Sequence, residues 1–247
     1  MAARTPAVSR DAAGRPIAGL PIALPSIGSA LRGAVQDFYF NSWRLAPANL
    51  VWAGVVIAVV VAAGFWTPAL LLFPVAAVPL AGIHRMAGRL VRGEGAAFSD
   101  FTAGMRQYAR PALTLGAAAT ILAVVFSANV AVGVQLDNPL GWFLSATAFY
   151  ADIALAVLLV ATWPLLTDPD REGLPLRRVV AQAALVCLAR PGRMTLLTVV
   201  LATLLLLSTV VFPAVVLISV AYVSLVATRY VLPLADRLEG QSPAEPA

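Results

Sequence analysis

Arginine is confined to every second connection between the apolar runs of this chain, and no other sequence feature narrows the fold so far. Runs of roughly 20 apolar residues cross a bilayer as helix. Such runs lie near 48–66, 68–84, 111–134, 140–166, 194–212 and 213–232. Arg4, Arg10, Arg15, Arg32 and Arg44 precede the first run. Arg85, Arg89, Arg92, Arg106 and Arg110 fall between the second and third. Arg171, Arg177, Arg178, Arg190 and Arg193 fall between the fourth and fifth, and Arg229 and Arg237 end or follow the sixth. The other three connections carry no arginine, and their only charge is Asp137. Cytoplasmic loops hold the cationic excess of membrane proteins. The pattern predicts an all-α polytopic bundle of six transmembrane helices with both termini cytoplasmic.

Trp52 and Trp66 near the ends of the first run, and Trp142 and Trp163 near those of the fourth, fit interfacial aromatic belts. The fifth and sixth runs form one apolar stretch, Met194–Leu232, too long for a single crossing; Pro213 marks the expected outer turn. The membrane domain is placed at 26–235, between flexible cytoplasmic tails at 1–25 and 236–247. Gly19, Pro21 and Pro25 break the only apolar stretch of the first tail, which argues against a secretory signal.

Short amphipathic helices are expected before three of the spans. Phe101, Met105, Tyr108 and Ala112 recur at helical spacing, with Ser99 as N-cap and Asp100 in the first turn. Ile27, Leu31, Ala34 or Val35, and Phe38 do the same behind Ser26, as do Leu176, Val179, Val180, Ala183 and Cys187. Each stripe leads into an Arg–Pro junction: RLAPANL from Arg44, ARPALTL from Ala109 and ARPGRMTLL from Ala189. Two readings stand. One is a threefold repeat of amphipathic helix plus hairpin. The other is the generic use of Arg at the interface and Pro in a first helical turn.

Composition removes whole classes of chemistry. Of 247 residues, 60% are hydrophobic and only 12% charged, and all 17 basic residues are arginine. Without lysine there is no Walker A phosphate loop and no Schiff-base chemistry. One histidine, His84, and one cysteine, Cys187, make neither a His/Cys metal site nor a disulfide within the chain. The chain also lacks G-x-S-x-G and H-E-x-x-H. No enzyme, cofactor or metal is expected. The arginines behind the net charge of +5 sit where insertion needs them, so no nucleic-acid partner is expected.

The residue most open to a chemical role is Asp152, well inside the fourth span, where a carboxylate is costly. Asn129 of the third span is its candidate partner, with Ser127 and Tyr150 nearby in sequence. Asp152 and Asn129 together read either as a ligand or ion site or as a structural link between two spans. Arg85, Arg89 and Arg92 are candidates for anionic lipid headgroups. His84 reads as an interfacial residue and Cys187 as a small packing residue. Gly116 and Thr120, one turn apart, would let helices approach closely.

The stretch from Asn49–Trp52 (NLVW) through the proline-containing second span to His84–Tyr108 resembles the YesL-type family of bacterial inner-membrane proteins. The "LVRGE" turn at Leu90–Glu94, the F-x-x-F at Phe98–Phe101 and the later ARPGRM junction carry the resemblance, over about residues 26–235. It implies a bacterial inner-membrane location and companionship with carbohydrate-uptake or carbohydrate-degradation systems, and it brings no catalytic motif. The expected function is a non-catalytic accessory or scaffold beside a transport system, its cytoplasmic amphipathic helices touching transporter subunits. A small-solute or ion-coupled carrier using Asp152 and Asn129 is the alternative.

Overall fold

The computed structural model describes residues 25–210 and 218–240. Seven α-helices fall within them: α1 (Ile27–Phe65), α2 (Ala77–Val91), α3 (Phe98–Gln135), α4 (Pro139–Leu166), α5 (Leu176–Ala189), α6 (Pro191–Val210) and α7 (Val220–Gly240). Local chemistry sets several starts. The Ser26 hydroxyl accepts from the Ser29 N–H at 3.0 Å, and Asn138 accepts from Gly141 at 2.8 Å with Pro139 in the first turn. α3 begins at Phe98, so Ser99 is not its cap. Asp100 instead turns back to accept from the Ala97 N–H at 2.6 Å.

The amphipathic segments differ from the expectation of short separate helices. α1 and α3 run without interruption through Pro47 and Pro111, at 39 and 38 residues. At 1.5 Å per residue each is over 55 Å long, about twice the hydrocarbon thickness. Only at the third junction does the helix break, where Arg190 adopts φ −146° and ψ 62° between α5 and α6. The apolar stripes are spent internally. Ala30, Ala34, Phe101, Tyr108, Ala112, Val179, Ala183 and Val186 are all buried in the core.

The second span is two helix types in series. Thr67–Ala76 is a 3-10 helix and Ala77 onward is α. Pro74 and Pro79 explain this, because each lacks the N–H that an α-helix would bond to the carbonyl four residues back, at Leu70 and Val75. Counting both parts, five helical segments are long and apolar enough to cross a membrane: 27–65, 67–91, 98–135, 139–166 and 191–208.

α7 is not among them, and the expected outer turn at Pro213 lies outside the described residues. The position of α7 is fixed by its neighbours. The Ala221 N–H donates to Asn49 Oδ1 at 3.1 Å, and Arg229 pairs with Asp37 through contacts of 2.5 and 2.7 Å. α7 therefore runs antiparallel to α1. Some 24 Å of α1 helix, by the same rise, extends from Asn49 to Phe65 beyond the level at which α7 begins. Residues 27 and 240 thus lie toward the same end of the bundle.

Small residues set the closest approaches. A Cβ on Gly82 would stand 2.8 Å from the Phe101 carbonyl oxygen, and one on Gly116 would stand 3.3 Å from that of Pro74. A Cβ on Gly133 would stand 2.5 Å from the Gly141 carbonyl oxygen, while Gly54 faces open space. Gly133→Ala is expected to destabilise by about 1–3 kcal/mol through overpacking of backbone against backbone. Gly54→Ala should be neutral or stabilising by up to about 1 kcal/mol, from helix propensity. Thermal unfolding in detergent checks both, and equal effects would refute the close α3–α4 contact.

Candidate functional site

The end of the bundle that holds residues 27 and 240 carries a cluster of arginines and carboxylates. Its centre is Asp168, a residue with no exposed surface in the turn after α4. Arg92, at the end of α2, meets Asp168 through Nε at 3.1 Å and Nη2 at 2.6 Å. The same guanidinium meets Asp236 of α7 at 2.7 and 3.1 Å and Asp170 at 3.0 Å. Arg171, itself buried, pairs with Asp168, with Asp236 at 2.8 Å and with Glu239 at 3.1 and 2.8 Å. Gln182 of α5 adds a 3.1 Å bond to Glu239. One network thus joins α2, the α4–α5 turn, α5 and α7.

Burial alone would favour a neutral Arg92. The hydrogen bonds it donates to Asp168 and Asp236 outweigh that, so the guanidinium holds its proton more tightly than a free arginine. Arg171 is affected in the same direction: burial opposes its charge and Glu239 and Asp236 overcome that. Burial likewise raises the Asp236 pKa, but the two arginines win and hold its carboxyl below the ordinary value. The cluster is an electrostatic clamp. Its carboxylates are consumed by arginine, and its geometry fixes the turn between α4 and α5.

The three arginines expected at lipid headgroups, Arg85, Arg89 and Arg92, each pair with carboxylates of the chain. Arg85 pairs with Glu172 and lies 3.5 Å from both the Tyr108 hydroxyl and the Thr167 carbonyl. Arg89 pairs with Glu94 at 2.9 Å and with Asp100. The exposed arginines are others, including Arg32, Arg106, Arg110, Arg177, Arg178 and Arg193.

Asp152 and Asn129 are not brought together. Ser145 Oγ donates to the Val130 carbonyl at 2.9 Å, and Gly133 lies against Gly141. This antiparallel register puts Asn129 opposite residues near 145 and Asp152 opposite residues near Ala123, roughly two helical turns apart. The Asn129 amide donates to its own helix, at Val125 O, 2.9 Å away. Asp152 is half-buried and has no hydrogen bond or ion pair among the described residues.

His84 is not at a surface. It is 6% exposed, stacks on Trp163 with centroids 6.0 Å apart, and lies 3.3 Å through Nε2 from Ser224 Oγ. Burial pushes the Cys187 thiol up to about 11, and its nearest polar contact is the Val157 carbonyl at 3.7 Å.

Sequence reasoning missed the carboxylate half of the clamp. A signal was there: Asp168, Asp170 and Glu172 flank Arg171, and Asp236 and Glu239 flank Arg237. Acids interleaved with arginines are not required by insertion, which counts cations.

What the fold defines is a helical bundle with five segments of membrane-spanning length, a multi-pass membrane protein. No protein-family model, curated protein or solved structure matches the chain.

Replacing Asp168 by Asn leaves the buried Arg171 guanidinium and the partly exposed one of Arg92 short of charge and should cost about 3 kcal/mol. Asp236 has a lowered folded pKa, so its contribution is present above the unfolded value near 3.8 and lost as pH falls through the folded one. Thermal midpoints between pH 7 and 3 should drop at the acid end in the wild type and drop less in Asp236→Asn. Identical acid limbs would show that Asp236 carries none of this stability.

Proposed function

We propose that the protein is a non-catalytic accessory or scaffold subunit of a bacterial inner membrane, working beside a transport system; the family resemblance points to carbohydrate uptake. The observation that carries this reading is an uncovered apolar row on the N-terminal half of α1. Val35, Tyr39, Phe40 and Trp43 are 56, 75, 73 and 68% exposed. They lie at the clamp end of α1, among charged residues: Asp37 is paired with Arg229, and Arg44 donates to the Ala96 carbonyl at 2.5 Å. Beside them a groove of about 300 Å³ is lined by Val35, Phe38, Tyr39, Ile218 and Tyr222. Large aromatics around such a groove are the kind of anchor that membrane-embedded partner helices use. The partner is a helical subunit that seats an apolar side chain there.

The topology proposed with this function has six crossings and cytoplasmic termini. Arginine sorting supports it, and so does the placement of residues 27 and 240 toward one end. The clamp would then face the cytoplasm and hold the scaffold rigid beneath the contact row.

A photo-crosslinking amino acid at Tyr39 or Trp43 should yield the same discrete protein adduct in cells. At Val124, an exposed mid-helix position, it should yield lipid adducts only. Lipid adducts at all three would defeat the scaffold reading.

The second reading, a carrier, has one observation in its favour, the unpartnered carboxylate of Asp152 in the middle of α4. Under it, liposome uptake should fall at least tenfold in Asp152→Asn, roughly the loss of one coupled charge interaction. Full uptake by the variant would end it.

A further inference from the structure

A cavity of about 230 Å³ lies where α1, α2, α4, α6 and α7 converge, roughly two turns along α2 from Arg92. Trp52, Trp163, Leu201 and Ala227 are among its apolar walls, and none of its lining residues is charged. His84 and Ser224 are its polar pair. Their mutual contact of 3.3 Å uses only His84 Nε2; Nδ1 is buried and has no hydrogen-bond partner among the described residues. A neutral imidazole carries one N–H and one lone pair, and a hydroxyl oxygen can accept as well as donate. The pair therefore has hydrogen-bonding capacity that the chain itself does not use, in a place where an unmade hydrogen bond is costly.

We infer that this cavity binds a neutral, lipid-soluble molecule about the size of one substituted ring, oriented by a single hydroxyl on the His84–Ser224 pair. An engineered apolar cavity of about 150 Å³ takes up benzene, and this one is larger. The arginines and carboxylates of the clamp are paired with one another further along the bundle, so a charged ligand would have no counter-ion within the cavity. Apolar lining with one fixed polar contact is the usual form of a small-molecule site. A ring against the Trp163 face would extend the flat stack that His84 already makes. The inference does not depend on the partner reading.

The test compares 4-fluorophenol with 4-fluorotoluene, which lacks the hydroxyl, by fluorine NMR titration of the full chain in one detergent. Comparing wild type and variants in the same detergent cancels partitioning into micelles. Saturable 4-fluorophenol binding is expected, weakened roughly tenfold in His84→Phe, as for one lost hydrogen bond. The 4-fluorotoluene affinity should stay unchanged in that variant. Ser224→Ala removes only a hydroxyl and should weaken 4-fluorophenol severalfold, which keeps the test intact if the phenylalanine variant misfolds. Ala227→Phe, which fills the cavity, should abolish binding of both probes. Absence of saturable binding would overturn the proposal. So would equal affinity for the two probes with no change in either polar variant, the behaviour of a plain pocket for lipid tails.

Discussion

Charge taken out of water must be paired, and this chain meets that requirement for most of its carboxylates. The described residues hold ten carboxylates. Eight of them, Asp37, Glu94, Asp100, Asp168, Asp170, Glu172, Asp236 and Glu239, are in ion pairs with arginine. A half-buried pair gains little net energy, because desolvation consumes most of the attraction. What it gains is geometry. The planar guanidinium offers fixed forked donors, so Arg92 can face Asp168 and Asp236 in one arrangement and hold two helices in register. An all-arginine chain is suited to this, since lysine would offer a point charge without the fork.

The same requirement explains which parts of the fold were legible in sequence. Five of the six expected crossings have counterparts of membrane-spanning length, because apolar runs and arginine sorting are single-residue signals. The buried stripes at Phe101, Tyr108 and Ala112 and at Val179 and Ala183 also followed from spacing. What spacing could not show was where those stripes would go. Their hydrophobicity is the same whether they meet a partner, a bilayer or the chain's own core. The clamp was hidden for a different reason. Arg92 and Asp236 are 144 residues apart, and no local rule links them. Asp152 and Asn129 failed to meet for a third reason. Depth in a span had to be counted from uncertain ends, whereas the real register is set by the tight contact of Gly133 with Gly141.

α7 shows how packing overrides a hydropathy count. Its apolar residues extend the run that begins at Met194, yet Ala221 hydrogen-bonds Asn49 and the helix proceeds alongside the N-terminal half of α1. Asn49 is fully buried, and its side chain accepts from a backbone N–H near the start of α7. A polar residue in the NLVW stretch thus positions a helix 172 residues away. Arg229 and Asp37 fix the same pair of helices further along, and the Tyr222 hydroxyl donates to the Leu31 carbonyl at 3.3 Å between them.

Asp152 is the exception that the pairing rule isolates. Asp137, the other carboxylate outside the ion pairs, sits in the turn between α3 and α4 with φ 41°, where a short acidic side chain tolerates the left-handed backbone. Asp152 has no such explanation. It continues the α4 face of Gly141, Ser145 and Ala148. It is also separate from the His84 cavity. Leu159, the first α4 residue to line it, is seven residues along, about 10 Å by helical rise, and Asp152 does not line that space. The bundle therefore holds two distinct departures from a dry interior. One is a neutral pocket near the clamp with hydrogen-bonding capacity to spare. The other is the carboxylate of Asp152, midway along α4, which has no arginine partner among the described residues.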